Sequence, residues 1–283
     1  AVFAAFYGTL RYDASQQKRG LFFAVSVESV IKLAIFLVIG VYVSFHLYDS
    51  PQAIVEEMNE RENFERLTTL NGLEAGVNWY FMIALSFIAI FLLPRQFQAG
   101  VVEYQNKDQL HTVIWLFPLY LLLFNIFVIF IAYAGILSLG DHVNPDYYSL
   151  LLPLENGNQF LTILVFLGGF SAVISMVVVS TLALSTMLSN NLIIPYGFIK
   201  VFQNNQHEQN QQLIKKIRRV SIFGLISIAY VLYFYVNPQT SLFSIGLVSF
   251  LLIAQLAPSF FIGLFWNRGS ALGAKAGMMA GLG

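Results

Sequence analysis

The sequence has no cysteine, so it offers no disulfide framework, no thiolate metal site and no cysteine nucleophile, and the redox compartment is left unread. Charge is scarce as well. Only 11% of the 283 residues are charged, where a soluble domain has roughly a quarter, and this excludes an ordinary soluble globule. Fifteen Lys plus Arg balance fifteen Asp plus Glu, so no excess of one sign points to nucleic acid. Eight prolines against 27 Phe and 14 Tyr exclude a disordered chain, whose composition avoids bulky apolar side chains. Gly-rich phosphate loops, HExxH and GxSxG are missing too. No catalytic residue and no organic cofactor are therefore assigned, and the chain is not read as an enzyme. What is present is apolar: 57% hydrophobic residues and a mean hydropathy of +0.69 make this a multi-span membrane protein whose first partner is the lipid bilayer.

Crossing about 30 Å of hydrocarbon takes roughly 20 apolar residues. Six stretches qualify, at about 21–47, 76–94, 112–138, 159–189, 219–236 and 241–266, with polar connectors between them. The terminal segments AVFAAFYG and AGMMAGLG are apolar and too short to cross, so both ends read as cut within helices, and residues 1–283 as one membrane domain, a fragment of a larger protein. Alternate connectors collect Arg11, Lys18, Arg19, Arg95, Lys107, Lys200, Lys215, Lys216, Arg218, Arg219, Arg268 and Lys275, twelve of the fifteen basic residues. The others hold only Arg61 and Arg66 among the acids Asp49, Glu56, Glu57, Glu60, Glu62, Glu65, Glu74, Asp141, Asp146 and Glu155. By the positive-inside rule the basic side is cytoplasmic. Solidly apolar runs also argue against barrel strands, which alternate every second residue. In the longest external connector, Ile54, Val55, Met58 and Leu67 among acids suit a short amphipathic helix capping the outer surface.

Glu28 and Lys32 are the ionisable side chains well inside a span, and their i,i+4 spacing stacks them on one helical face. Intramembrane charge costs about 2.5–3.5 kcal/mol per residue on insertion scales and defaults to a functional hypothesis. Two readings stand at this point: mutual neutralisation, or a place in an ion or solute pathway. Ser171, Ser175, Ser180, Thr181, Ser185, Thr186 and Ser189 interrupt an aliphatic run, which suits either close helix packing or oxygen ligation of a hard cation. Pro94 and Pro258 fall at membrane depth, where a kink is the simplest reading. His207-Glu208 sits in QNNQHEQNQQ, which reads as a solvated Gln/Asn-rich loop, and His46, His111 and His142 lack a second ligand at metal spacing.

VVVSTLALSTMLSNNLIIP resembles the eighth core helix of the sodium:solute symporter family, and LAPSFFIGLFWNRGSALGAKAGMMAG its tenth core helix and the following turn. FYGTLRYDAS, ESVIKLAIFLVIG, LPRQFQAGVVE, WLFPLYLLLFN and ALSTMLSNN together resemble the subset in which this module is the N-terminal part of CbrA-type sensor histidine kinases. The resemblance implies an all-α polytopic bundle of the LeuT-type inverted-repeat fold, spanning about core helices 4 to 11 and set in a bacterial inner membrane. It implies a sodium ion held partly by the Val177 carbonyl and the hydroxyls of Ser180 and Thr181, the rest of that site coming from a first core helix that this chain lacks. It also implies sodium-coupled uptake or sensing of a small organic solute, an amino acid such as histidine, with a response regulator reached through a kinase region outside these residues. A stand-alone sodium:solute symporter is the alternative. Departures from the family's fifth helix, with Ser29 at an acidic position, Glu28 displaced by one and Lys32 in place of Gln, weaken the expectation of ordinary sodium coupling.

Overall fold

The computed structural model describes residues 19–61, 72–102, 107–140, 142–195, 207–237, 240–266 and 269–282. In chain order its α-helices are α1 Arg19–Tyr42, α2 Pro51–Asn59, α3 Leu73–Leu92, α4 Pro94–Phe97, α5 Lys107–Asn125, α6 Val128–Leu139, α7 Tyr148–Glu155, α8 Gln159–Leu188, α9 His207–Tyr233, α10 Leu242–Ala254, α11 Ala257–Phe265 and α12 Ala271–Leu282. Short π turns follow α1 (Val43–Leu47), α4 (Gln98–Val102) and α8 (Ser189–Ile193), and no strand occurs among the described residues. Val- and Ile-rich segments such as α1 would favour strands in water. In hydrocarbon each backbone polar group needs an internal partner, and a helix supplies one for nearly every residue. Side-chain hydroxyls obey the same demand: Ser26 donates to the Phe22 carbonyl and Ser29 to that of Val25, both at 2.8 Å.

Four helical stretches are long and apolar enough to cross a membrane: Phe22–Leu47, Leu73–Leu92, Leu110–Leu139 and Gln159–Ile193. Leu242–Ala254 and Ala257–Phe265 make a fifth if the pair, bent by 41°, is taken as one span. Among the described residues the architecture is thus all-helical, with four or five helical stretches of membrane-spanning length, as a multi-pass membrane protein requires. One of the six expected crossings needs correction, and another is bent. The stretch 219–236 is the distal part of α9, a helix whose first half carries Lys215, Lys216, Arg218 and Arg219. Helix beyond them runs only from Val220 to Tyr233, about 14 residues or roughly 21 Å of rise. The stretch 241–266 is broken between α10 and α11. QNNQHEQNQQ is likewise not all loop, because α9 already begins at His207. Pro94 and Pro258 lie in the first turns of α4 and α11, where a missing N–H has no helical acceptor to lose.

The chain forms two compact units, Ala1–Leu67 with Gln105–Tyr235, and Thr68–Tyr104 with Val236–Gly283. In the first, Ile39, Val43, Ile54, Ile131, Ala134, Leu139, Tyr148 and Leu152 form the main core. The amphipathic helix expected in the long connector is α2. The Ser50 hydroxyl caps it by accepting from the Ala53 N–H at 3.1 Å, and Pro51 opens its first turn. Ile54 and Met58 then share its inward face, fully buried, while Leu67 lies outside the described residues. In the second unit α3 packs on α10, and Phe87 and Phe91 meet Phe261 while Phe97 meets Phe260.

Candidate functional site

The site is built on α1 and α8, the helix pair in most extensive contact in the first unit. Glu28 and Lys32 are one turn apart on α1, and the Lys32 ammonium stands 2.7 Å from Glu28 Oε1. Ser171 and Ser175 repeat that i,i+4 spacing on α8. Ser171 donates to Glu28 Oε1 at 2.7 Å, and Lys32 Nζ donates to Ser175 Oγ at 3.0 Å. Acid, base and two hydroxyls therefore form one interhelical network, whose charged side chains are only 17% (Lys32) and 22% (Glu28) exposed. The helices can approach this closely because Gly168 lies against Ile35: a β-carbon there would stand 2.9 Å from Ile35 Cδ1. Tyr120 on α5 adds a long, 3.5 Å hydrogen bond to the Ser29 carbonyl beside the network.

Two cavities of about 460 Å³ flank this seam. One is bounded by Phe23, Val27, Glu28, Lys32, Leu167 and Ser171. The other runs past Lys32 and Ile39 to Asp146 and Tyr147, walled by aromatic side chains. Lys32, Ile35 and Gly168 border both. A solute in either cavity would thus meet the same ammonium, with Glu28 and Ser171 beside it in the first and Asp146 and Ser149 also lining the second.

Sequence reasoning took the ion pair and the hydroxyl stripe as separate candidates, and the structure joins them through Ser171 and Ser175. The matching i,i+4 spacings were a signal for this pairing, although spacing alone does not say which helices touch. Further along α8 the stripe behaves differently. Thr181 Oγ1 donates to the Val177 carbonyl at 2.7 Å and stands 3.1 Å from that of Val178. Ser185 and Thr186 donate to the Leu182 carbonyl, and Ser189 to that of Thr186. Such back-bonding satisfies a hydroxyl within its own helix. Val177 O, moreover, accepts both this hydroxyl and the ordinary helical N–H four residues on, which leaves neither lone pair facing a cation. Val177, Ser180 and Thr181 as they stand form no cation cradle. They also lie apart from Glu28 and Lys32, Thr181 being six residues beyond Ser175, about 9 Å of helical rise. No cluster of three or more His, Asp or Glu that could hold a metal occurs among the described residues.

Two other polar features stand outside the network. Arg218 on α9, 4% exposed, donates to Ser189 and Asn190 at 3.3 Å and ties α9 to the end of α8. Tyr48, just past the first span, shares a 2.8 Å hydrogen bond with Ser138, and burial pushes its phenol above the ordinary range. Among known proteins, no family model, no curated protein and no solved structure matches this chain.

Proposed function

We propose that this chain is a transporter-like membrane module that binds a small organic solute, for uptake or for sensing, with Glu28, Lys32, Ser171 and Ser175 as the polar group the solute meets. The observation that carries this reading is the position of Lys32: its ammonium is paired with Glu28, bonded to Ser175 on a second helix, and borders a cavity on each side of the α1–α8 seam. A pair needed only for neutrality would be complete within α1. Hydroxyls on α8 that divide the two charges give the pair an interhelical role, and a ligand competing for either charge would change how α1 and α8 hold together. That is a way for solute occupancy to become a helix movement.

The resemblance to symporter-like sensor modules supports a setting in the bacterial inner membrane and a signal passed to a kinase region outside these residues, with a response regulator as its partner. Sodium coupling, and the alternative of a stand-alone symporter, rest on the same resemblance alone.

The test is the full-length protein in its own cell, with Glu28→Gln and Lys32→Met combined. Removing both charges avoids an orphan ion, so normal membrane abundance with loss of solute uptake or solute-dependent signalling is the expected result. Normal abundance with a full response would reduce the network to a structural clasp and refute the proposal.

A further inference from the structure

We infer that the basic stretch of α9 is a binding surface for an anionic phospholipid of the leaflet on the basic side of the membrane. Lys215 and Lys216 hold its phosphate, and its acyl chains lie on Val220 and Phe223. This surface is outside the Glu28–Lys32 network and stands whether or not a solute binds there.

The packing of α9 on α8 decides which of its faces is free. Ile214, Ile217, Arg218, Ser221 and Ile222 recur at i, i+3, i+4, i+7 and i+8, and all five are buried. Ile222 packs with Val178 and Leu182 of α8, and Arg218 donates to Ser189 and Asn190 in the π turn that follows α8. One face of α9 is thereby committed to the protein. On the opposite face come Lys216, Val220 and Phe223 at i, i+4 and i+7, all exposed, Val220 to 71%. Lys215 is half-buried at the edge of that face.

The order of groups along this face is the order of a bilayer. Ammonium groups come first, exposed apolar side chains follow within a turn, and the exposed Tyr230 and Tyr233 stand near the far end, as side chains of the headgroup layer do. From Lys216 to Tyr230 the helix rises only about 21 Å, against about 30 Å of hydrocarbon. So short a stretch is accommodated by local thinning of the bilayer and by flanking side chains that reach its headgroups. Lysine suits that place, because its stem lies along apolar surface while its ammonium stays among polar groups.

Charge then selects the lipid. Among the described residues neither Lys215 nor Lys216 has an ion-pair partner, and α9 holds no acidic residue after Glu208. A basic residue at an anionic membrane surface contributes about fivefold in binding, so two contribute roughly twenty-five-fold. A zwitterionic headgroup offers the same phosphate but brings its own cation, which the lysines repel. A soluble anion would leave Val220 and Phe223 uncovered, whereas a phospholipid satisfies the charges and the apolar side chains together.

The experiment uses the full-length protein in nanodiscs of phosphatidylcholine with a minor share of phosphatidylglycerol, one or the other lipid brominated on its acyl chains. Val220→Cys carries a bimane fluorophore, the native chain having no cysteine to compete. Bromine quenches on contact, so quenching reports which lipid lies against position 220. Phosphatidylglycerol should be enriched there about tenfold or more over its bulk share, and should show no enrichment at Val231→Cys near the far end of α9. Lys215→Gln combined with Lys216→Gln should bring the enrichment at 220 below about twofold, while Lys215→Arg combined with Lys216→Arg should keep it. Raising salt from about 0.1 M to about 1 M should reduce it in the parent, as the Debye length falls from roughly 10 Å to 3 Å. Unchanged quenching at Val231 shows that the Gln pair still inserts; if it does not insert, the salt series decides. Equal quenching by the two lipids at 220, enrichment that survives the Gln pair, or enrichment indifferent to salt would overturn the assignment. Quenching by neither lipid would mean that another part of the full-length protein covers this face, and would overturn it as well.

Discussion

If the Glu28–Lys32 pair is held as one network with Ser171 and Ser175, its members cannot be removed independently, and a double-mutant cycle measures by how much. Lys32→Met leaves the Glu28 carboxylate with the Ser171 hydroxyl but without its countercharge. Stranding one member of a buried pair costs about 3–5 kcal/mol. Both side chains are about a fifth exposed, so water relieves part of that cost, and the intramembrane insertion scale gives a lower range, about 2.5–3.5 kcal/mol. About 2.5 kcal/mol for Lys32→Met is therefore the working value, with Glu28→Gln somewhat lower because an amide can still accept from both Lys32 and Ser171. The double variant removes both charges and leaves Gln facing Ser171, so it should lie within about 1 kcal/mol of the parent. With about 2 kcal/mol for Glu28→Gln, the resulting coupling is roughly 3.5 kcal/mol, which corresponds to a difference on the order of three-hundredfold in the unfolding equilibrium constant. Reversible unfolding in mixed micelles, followed for the parent, both single variants and the double variant, measures the four corners. Ser171→Ala should cost about 1 kcal/mol in the parent and almost nothing in the double variant, because its acceptor is then uncharged. Additive single costs, or a Ser171→Ala cost unchanged by loss of the charges, would refute the network.

The remaining predictions concern packing and topology. Ser44 is fully buried and its hydroxyl has no hydrogen-bond partner in the structure, so Ser44→Ala should be neutral or should stabilise by up to about 1 kcal/mol in the same unfolding assay; a loss of stability would show that the hydroxyl has a partner. Gly168→Ala should destabilise by about 1–3 kcal/mol, because its methyl group meets Ile35, while Gly169→Ala meets open space and should not; equal effects would contradict the α1–α8 register. Single cysteines at the exposed positions Glu60 and Asp146 should react with an impermeant thiol reagent added outside, and one at exposed Lys216 should not; the native chain has no cysteine to confuse the reading, and reversed labelling would overturn the orientation. Replacing Ser180 and Thr181 together by Ala should leave any sodium dependence of solute binding unchanged, since the Thr181 hydroxyl is back-bonded to Val177; a marked loss would show that these oxygens turn to a cation when solute is present.

The sequence by itself determined the material of the protein. Apolar runs of membrane length dictate helices, because hydrocarbon offers the backbone no other partner, and this is why the long spans came out where hydropathy put them. Ser50 followed by Pro51, with Ile54 and Met58 one turn apart, similarly determined α2 through local capping and a periodic apolar face. Local chemistry also set the Glu28–Lys32 spacing. Length was legible less securely: hydropathy cannot tell where a helix stops, and so the stretches 219–236 and 241–266 looked like complete crossings when one is the distal part of a basic helix and the other is bent. The tertiary structure alone decided which hydroxyls meet the ion pair. Ser171 and Ser175 reach α1 while Thr181, Ser185 and Thr186 turn back on their own helix, a difference of helical phase relative to a neighbour that no single-helix pattern contains. Lys32 borders two cavities for the same reason. A cavity is the space left where helices distant in sequence fail to touch, and its walls here come from segments more than a hundred residues apart.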